Sequence, residues 1–132
     1  MKDVAMPSTR KKILIVDDDV ELLKSIASFI KMSGFDVETA SNAKEALKNF
    51  ERGFPDLFII DAIMPEYNGF ELTKAIRNLD EGKRTPIIMI SGMKTNTDKM
   101  NALASGANEF IGKPIKPEDL VKRIRHYCWG EA

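Results

Sequence analysis

Apolar residues fall along this chain in short unbroken blocks, and the blocks alternate with longer stretches of helical spacing. Ile13-Leu14-Ile15-Val16, Leu57-Phe58-Ile59-Ile60 and Ile87-Ile88-Met89-Ile90 are aliphatic or aromatic at every position. Such runs suit strands covered on both faces, as in parallel sheets. They predict strands over 12–16, 57–60 and 87–90, with a shorter one over 109–111. A further strand over 36–39 alternates polar and apolar, the mark of a sheet edge. Between the strands, apolar positions recur at three- and four-residue spacing. Leu22, Leu23, Ile26, Phe29 and Ile30 predict a helix over 20–32, stopped by Gly34. Ala43, Ala46, Leu47 and Phe50 predict one over 43–52, with Asn42 as cap and Glu45 three residues on. Leu72, Ile76 and Leu79 are the inward face of a helix over 69–79. The helix over 98–105 is weakly apolar, with Met100 and Leu103 as its main anchors. The last spans 117–129, opens on Pro117 and buries Leu120, Val121, Ile124, Tyr127 and Cys128. Five strands alternating with five helices predict an α/β fold, a parallel sheet with helices on both faces.

A chain of 132 residues is expected to be one domain with a core of its own. Residues 1–11 read as a polar tail, 12–129 as the domain and 130–132 as a short end; 132 residues leave no room for a second domain, and the chain is either a stand-alone domain or one excised from a longer protein. Apolar residues make up 43% and charged residues 30%, as in ordinary globular proteins. Twenty basic residues balance twenty acidic ones, so charge points to neither nucleic acid nor anionic membrane. The single cysteine, Cys128, has no internal disulfide partner, and the N-terminus has no secretory h-region. No apolar stretch is long enough to span a bilayer. The expected location is the cytoplasm.

The chemistry gathers where the strands end. Asp17 and Asp18 follow the first run, Asp61 the second and Ser91 the third, while Lys113 follows the last strand. In open α/β sheets ligands bind along the carboxyl edge, so parallel neighbours would bring these five residues together. Three acids at close range repel one another and call for a hard cation, and Mg²⁺ suits carboxylates and phosphate oxygens. Asp61, at the end of a central strand and the start of a loop, is the candidate nucleophile of a Mg²⁺-dependent phosphoryl transfer. The Ser91 hydroxyl can donate to a phosphate oxygen. Lys113 precedes Pro114, which favours extended backbone at the lysine and allows a cis bond between them.

Taken together, Ile13-Leu14-Ile15-Val16-Asp17-Asp18, Ile60-Asp61-Ala62-Ile63-Met64-Pro65 with Gly69, Met89-Ile90-Ser91-Gly92 and Gly112-Lys113-Pro114 resemble the receiver domain of two-component response regulators. The resemblance covers residues 12–129. It implies a flavodoxin-like fold with strand order 2-1-3-4-5. It makes Asp61 the phospho-acceptor, Asp18 a direct Mg²⁺ ligand, Asp17 a supporting ligand, and the Ile63 backbone carbonyl a further ligand. Ser91 becomes the switch hydroxyl and Lys113 the partner of the phosphoryl group. Phe110 holds the place of a switch aromatic that is often Tyr, and Gly92 stands where Ala is common. Pro65, Gly69 and Pro114 shape loops. The implied partners are a histidine kinase or a His-containing phosphotransfer protein, and an output protein or domain that the sequence does not name. A homodimer through the last two helices is left open. Ile63 and Met93, two residues beyond Asp61 and Ser91, would flank the phosphoryl group and slow attack by water.

Other readings compete. Asp17 to Asp19 could simply cap the first helix, and Asp19 is read as no more than that. A phosphohydrolase of the haloacid-dehalogenase kind would use Asp17 in a D-x-D-x-T/V pattern, but Glu21 stands where Thr or Val belongs. No G-x-G-x-x-G or P-loop motif supports a nucleotide site. A degenerate receiver that carries no phosphate would act as a binding module. His126 reads as a solvated face residue.

Overall fold

The computed structural model describes residues 10–64, 67–92 and 95–131. Five parallel strands form one sheet in the order β2-β1-β3-β4-β5: β1 (Lys12–Val16), β2 (Asp36–Ala40), β3 (Leu57–Asp61), β4 (Ile87–Ser91) and β5 (Glu109–Gly112). The helices are α1 (Val20–Met32), α2 (Ala43–Asn49), α3 (Gly69–Asn78), α4 (Asn96–Ser105) and α5 (Pro117–Trp129). This is the flavodoxin-like topology. Strand order reverses beside β1, so β1 and β3 frame the crevice at the carboxyl edge.

Each aliphatic run divides its side chains between two cores, because successive strand residues point to opposite faces. Leu14, Val16, Phe58, Ile60 and Met89 pack under α2, α3 and α4 with Ala46, Leu72, Ile76 and Ala102. Ile13, Ile15, Leu57, Ile59, Ile88 and Ile90 pack under α1 and α5 with Leu23, Ile26, Ile30, Leu120 and Ile124. All five residues of β3 and of β4 are buried, and each large aliphatic side chain so buried stabilises the fold by roughly 2 kcal/mol. At the amino end of β3, Phe50, Phe54 and Phe58 meet edge to face or tilted, with centroids 5.1–5.5 Å apart.

The structure departs from the periodicity in several places. Strands β3 and β4 run one residue further than predicted, so Asp61 and Ser91 are still in the ladder. Helix α2 ends at Asn49, and Phe50–Arg52 tightens into a 3₁₀ turn. Phe29, Leu47 and Leu79 stand at the margins of their helices, 36%, 41% and 39% exposed, and not in the core. Leu79 is the α3 C-cap, whose extended backbone turns the side chain away from the stripe. The largest difference is α4. It starts two residues earlier than predicted, on a capping box between Thr95 and Asp98. Met100 and Leu103 are 69% and 46% exposed, and Ala102 and Ser105 are the residues it buries.

Beyond the strand ends, Lys11 lies over the Trp129 ring at 5.2 Å, at the amino end of the sheet. Thr73 in α3 is wholly buried, and its hydroxyl has no hydrogen-bond partner among the described residues. Desolvating a hydroxyl without compensation is unfavourable, and valine fills the same volume. Thr73→Val is therefore expected to raise stability by about 1 kcal/mol. A urea titration showing an unchanged or lower midpoint would contradict this.

Candidate functional site

The crevice beside β1 and β3 collects the residues singled out by the sequence. Asp17 follows β1, and its amide donates to the Ala40 carbonyl at the end of β2, which continues the sheet by one bond. The side chain is therefore held under the edge, 1% exposed. Asp18 projects to solvent. Asp61 closes β3 at 5% exposure and Ser91 closes β4 at 1%. The three carboxylates each offer an oxygen within 4.8 Å of the others.

Lys113 reaches back across the edge from the end of β5. Its Nζ donates to Asp17 Oδ2 at 3.0 Å and lies 3.6 Å from Asp61 Oδ2. Its backbone amide donates to the Ser91 carbonyl at 2.7 Å, so the lysine and the serine are placed by the same ladder. The Lys113–Pro114 bond is cis, one of the two isomers the sequence allows. Asp17 Oδ1 accepts the Asp19 amide at 2.9 Å, while Asp19 caps α1 by accepting from the Leu22 amide. Asp19 is a helix cap, as the sequence suggests. Asp61 Oδ1 accepts the Ile63 amide at 3.2 Å.

Gly69 has a site role that follows from distance. A Cβ there would sit 2.2 Å from the Asp61 carbonyl oxygen and 2.8 Å from Ala62 Cα. The Gly69 amide donates to the Ala62 carbonyl at 2.9 Å, so the first turn of α3 lies directly on the backbone that carries Asp61. Phe110 is partly buried against the core on the α4 side of the sheet. Pro65 and Met93, named above for the loop and for shielding, lie outside the described residues.

Three acids against one lysine leave the site electrostatically unbalanced. Burial first, and the Asp17 charge second, push the Asp61 carboxyl up to about 7, against the Ile63 amide and Lys113, which hold it down. Burial alone would lower Lys113, but its bonds to Asp17 and the charge of Asp61 outweigh that and keep its pKa above the ordinary value. A site in which three carboxyl groups crowd together against one lysine has the donor set and the charge deficit that a hard divalent cation answers. Elsewhere, burial pushes the Cys128 thiol up to about 11, so it is no ready nucleophile. His126 is exposed, as the sequence suggests, and its Nδ1 lies 2.9 Å from the Glu131 carbonyl.

Sheets of this topology bind ligands at that edge, and the acids, hydroxyl and lysine gathered there define a class that handles a cation and a phosphate-like anion. Comparison narrows the class. A family model for the response regulator receiver domain matches residues 13–125. An uncharacterized 14.6 kDa protein of Leptolyngbya boryana is 38% identical over 88% of both chains. The alkaline phosphatase synthesis transcriptional regulatory protein PhoP of Bacillus subtilis is 35% identical over 87% of this chain and 47% of its own length. Chemotaxis protein CheY4 of Vibrio cholerae superposes with a TM-score of 0.86 at 33% identity, covering 90% of this chain and 99% of that one. This chain belongs to the response regulator receiver domain family, and it is a phosphorylatable switch of two-component signalling. It spans about half the length of the transcriptional regulators it resembles.

Proposed function

We propose that Asp61 is the residue that takes the phosphoryl group, from phosphohistidine on a histidine kinase or a His-containing phosphotransfer protein. The observation that carries this is the burial of Asp61 between Asp17 and the Lys113 ammonium, 3.6 Å away, at the carboxyl edge of the sheet. A carboxylate oxygen of Asp61 attacks phosphorus as the phosphorus–nitrogen bond breaks, and the imidazole leaves with its electron pair. Asp17, Asp18, Asp61 and the Ile63 carbonyl would hold Mg²⁺, which when bound offsets charge on the transferring oxygens. Lys113, already within reach of Asp61, moves its ammonium from Asp17 to a phosphoryl oxygen. The Ser91 hydroxyl donates to another. That pull draws the backbone after β4, and Phe110 takes up the space left. Having no hydroxyl, its ring moves without gaining a hydrogen bond. A two-state balance on the surface of α4, β5 and α5 shifts, and an output protein or domain reads it. Self-phosphorylation from small donors and self-dephosphorylation belong to the same chemistry. The setting is the cytoplasm. No helix among the described residues is long and apolar enough to cross a membrane.

A hydrolase acting through Asp17 fits less well. That carboxylate is buried, with one oxygen on the Asp19 amide and the other on Lys113, and Glu21 stands where the hydrolase pattern has Thr or Val.

The test is intact mass after incubation with Mg²⁺ and acetyl phosphate. The wild type should gain one phosphoryl group, and neither Asp61→Asn nor chelated wild type should gain any. A gain retained in Asp61→Asn would place the acceptor elsewhere. Ile63, 49% exposed beside the acceptor, is expected to hinder the hydrolysing water. Ile63→Asn should therefore shorten the half-life of the phosphorylated form several-fold, as followed by decay of the added mass. An unchanged half-life would remove Ile63 from that role.

A further inference from the structure

Among the described residues, helix α4 is held at one end only. From Asn96 to Asn101 no residue is buried, and the first turn is capped by its own residues. Asp98 Oδ2 accepts from the Thr95 hydroxyl at 2.7 Å and the Thr95 amide at 3.2 Å, and Thr95 Oγ1 accepts the Asp98 amide at 3.1 Å. A turn capped internally can shift as a unit without leaving its amides bare.

The other end is fastened. Ala102 and Ser105 are buried, and Gly106 ends the helix in a left-handed conformation. There the Arg77 guanidinium of α3 donates from Nε to the Gly106 carbonyl at 2.9 Å. Nη1 donates to the carbonyls of Gly82 at 2.7 Å and Thr85 at 2.6 Å, both in the connection to β4. Nη2 donates to Asn108 Oδ1 at 2.8 Å, and the same oxygen accepts the Ile87 amide at the start of β4. One planar cation thus ties the end of α4 to α3, to the entry of β4 and to the residue before β5. All its acceptors are neutral, and it forms no ion pair among the described residues. The fit is close, since a Cβ on Gly106 would meet Arg77 Cγ at 2.8 Å.

We propose that Arg77 is a positioning residue of the switch, a fulcrum that pins the carboxyl end of α4 so that phosphorylation displaces only residues 95–101. This rests on the switch reading above. Arginine suits the task because its fork holds several acceptors in fixed directions, whereas lysine offers one point charge.

Hydrogen exchange by mass spectrometry on the full chain tests it, with and without Mg²⁺ and acetyl phosphate, in wild type, Arg77→Met and Arg77→Lys. Intact mass is read on the same samples. In the wild type, exchange in 95–101 should change on phosphorylation while 102–108 stays as it was. In Arg77→Met the mass gain should persist, but the change should extend through 102–108, and Arg77→Lys should fall between. Without phosphate, amides of 105–108 should exchange at least about ten-fold faster in Arg77→Met, with 95–101 unaltered. A wild-type change running through both halves, or the same boundary in all three proteins, would overturn the fulcrum. Were the wild type to take up no phosphate, the switch reading would fail, and the basal exchange of 105–108 would still decide whether Arg77 pins the helix. If Arg77→Met does not fold, Arg77→Lys carries the comparison.

Discussion

Gly69→Ala should cost roughly 3 kcal/mol or more and disable phosphate uptake as well. The added methyl would lie 2.2 Å from the Asp61 carbonyl oxygen, well inside contact distance, and every atom it meets there is main chain. A flexible side chain could swing away. A strand end bonded on both sides cannot, since β1 and β4 flank β3. The strain must be relieved by lifting α3 off the sheet or by bending the peptide that carries Asp61. The first loses burial of Leu72 and Ile76, and the second moves the carboxylate relative to Asp17 and Lys113. Gly92→Ala is the built-in comparison. A Cβ there meets nothing within 4 Å, so its change in stability should stay within about 0.5 kcal/mol. Chemical denaturation of both variants, with mass gain from acetyl phosphate, gives the contrast. Equal stabilities would mean that the approach of α3 to Asp61 is looser than the distances state.

Asp61→Asn should stabilise the metal-free chain at pH 8, by roughly 2–4 kcal/mol. The sign follows from the raised pKa. The folded carboxyl titrates near 7 and the unfolded one near 3.8, so the folded state holds its proton more firmly. Below about pH 4 both states are protonated and the group contributes no difference. As pH climbs from 4 to 7 the unfolded chain ionises first, and folding loses stability through that window. Asparagine cannot ionise, so the gap between variant and wild type should open over the same window and then level off. Divalent cation should reverse the order, because Mg²⁺ at the proposed site would need the carboxylate ionised and would stabilise wild type more at pH 8 than at pH 5. Melting temperatures in chelator and in Mg²⁺ across this range would show it. A metal-free wild type more stable than the variant at pH 8 would mean that Lys113 already balances the acids.

Much of the sheet and its edge was readable in the residues, for a physical reason. Parallel strands covered on both faces must be apolar throughout, so Ile13 to Val16 and Ile87 to Ile90 announce themselves. A polar residue closing such a run is then conspicuous, as Asp17, Asp61 and Ser91 are. Helix α4 is poorly legible in the sequence because its buried contacts are Ala102 and Ser105. Small residues let a helix lie close without leaving an apolar stripe, while the exposed Met100 and Leu103 imitate one. Without that stripe, nothing in the apolar spacing marks the cap at Thr95 or the start of the helix at Asn96. The network of Arg77 has no local signal at all, since its acceptors are carbonyls and an amide up to thirty-one residues away. The engagement of Lys113 with Asp17 likewise needs the fold to bring residues ninety-six apart into contact.

The lysine stacked on Trp129 has a practical side. This indole is the only one in the chain and stands at the amino end of the sheet, half in solvent. The five-residue strand β1 separates it from the acidic edge by about 16 Å. Intrinsic fluorescence therefore watches the wrong pole of the molecule. Quenching of this tryptophan should report on the segment around Lys11 and not on ligands at the acidic edge. An optical readout of the switch needs a fluorophore installed on the opposite rim, in the exposed first turns of α4.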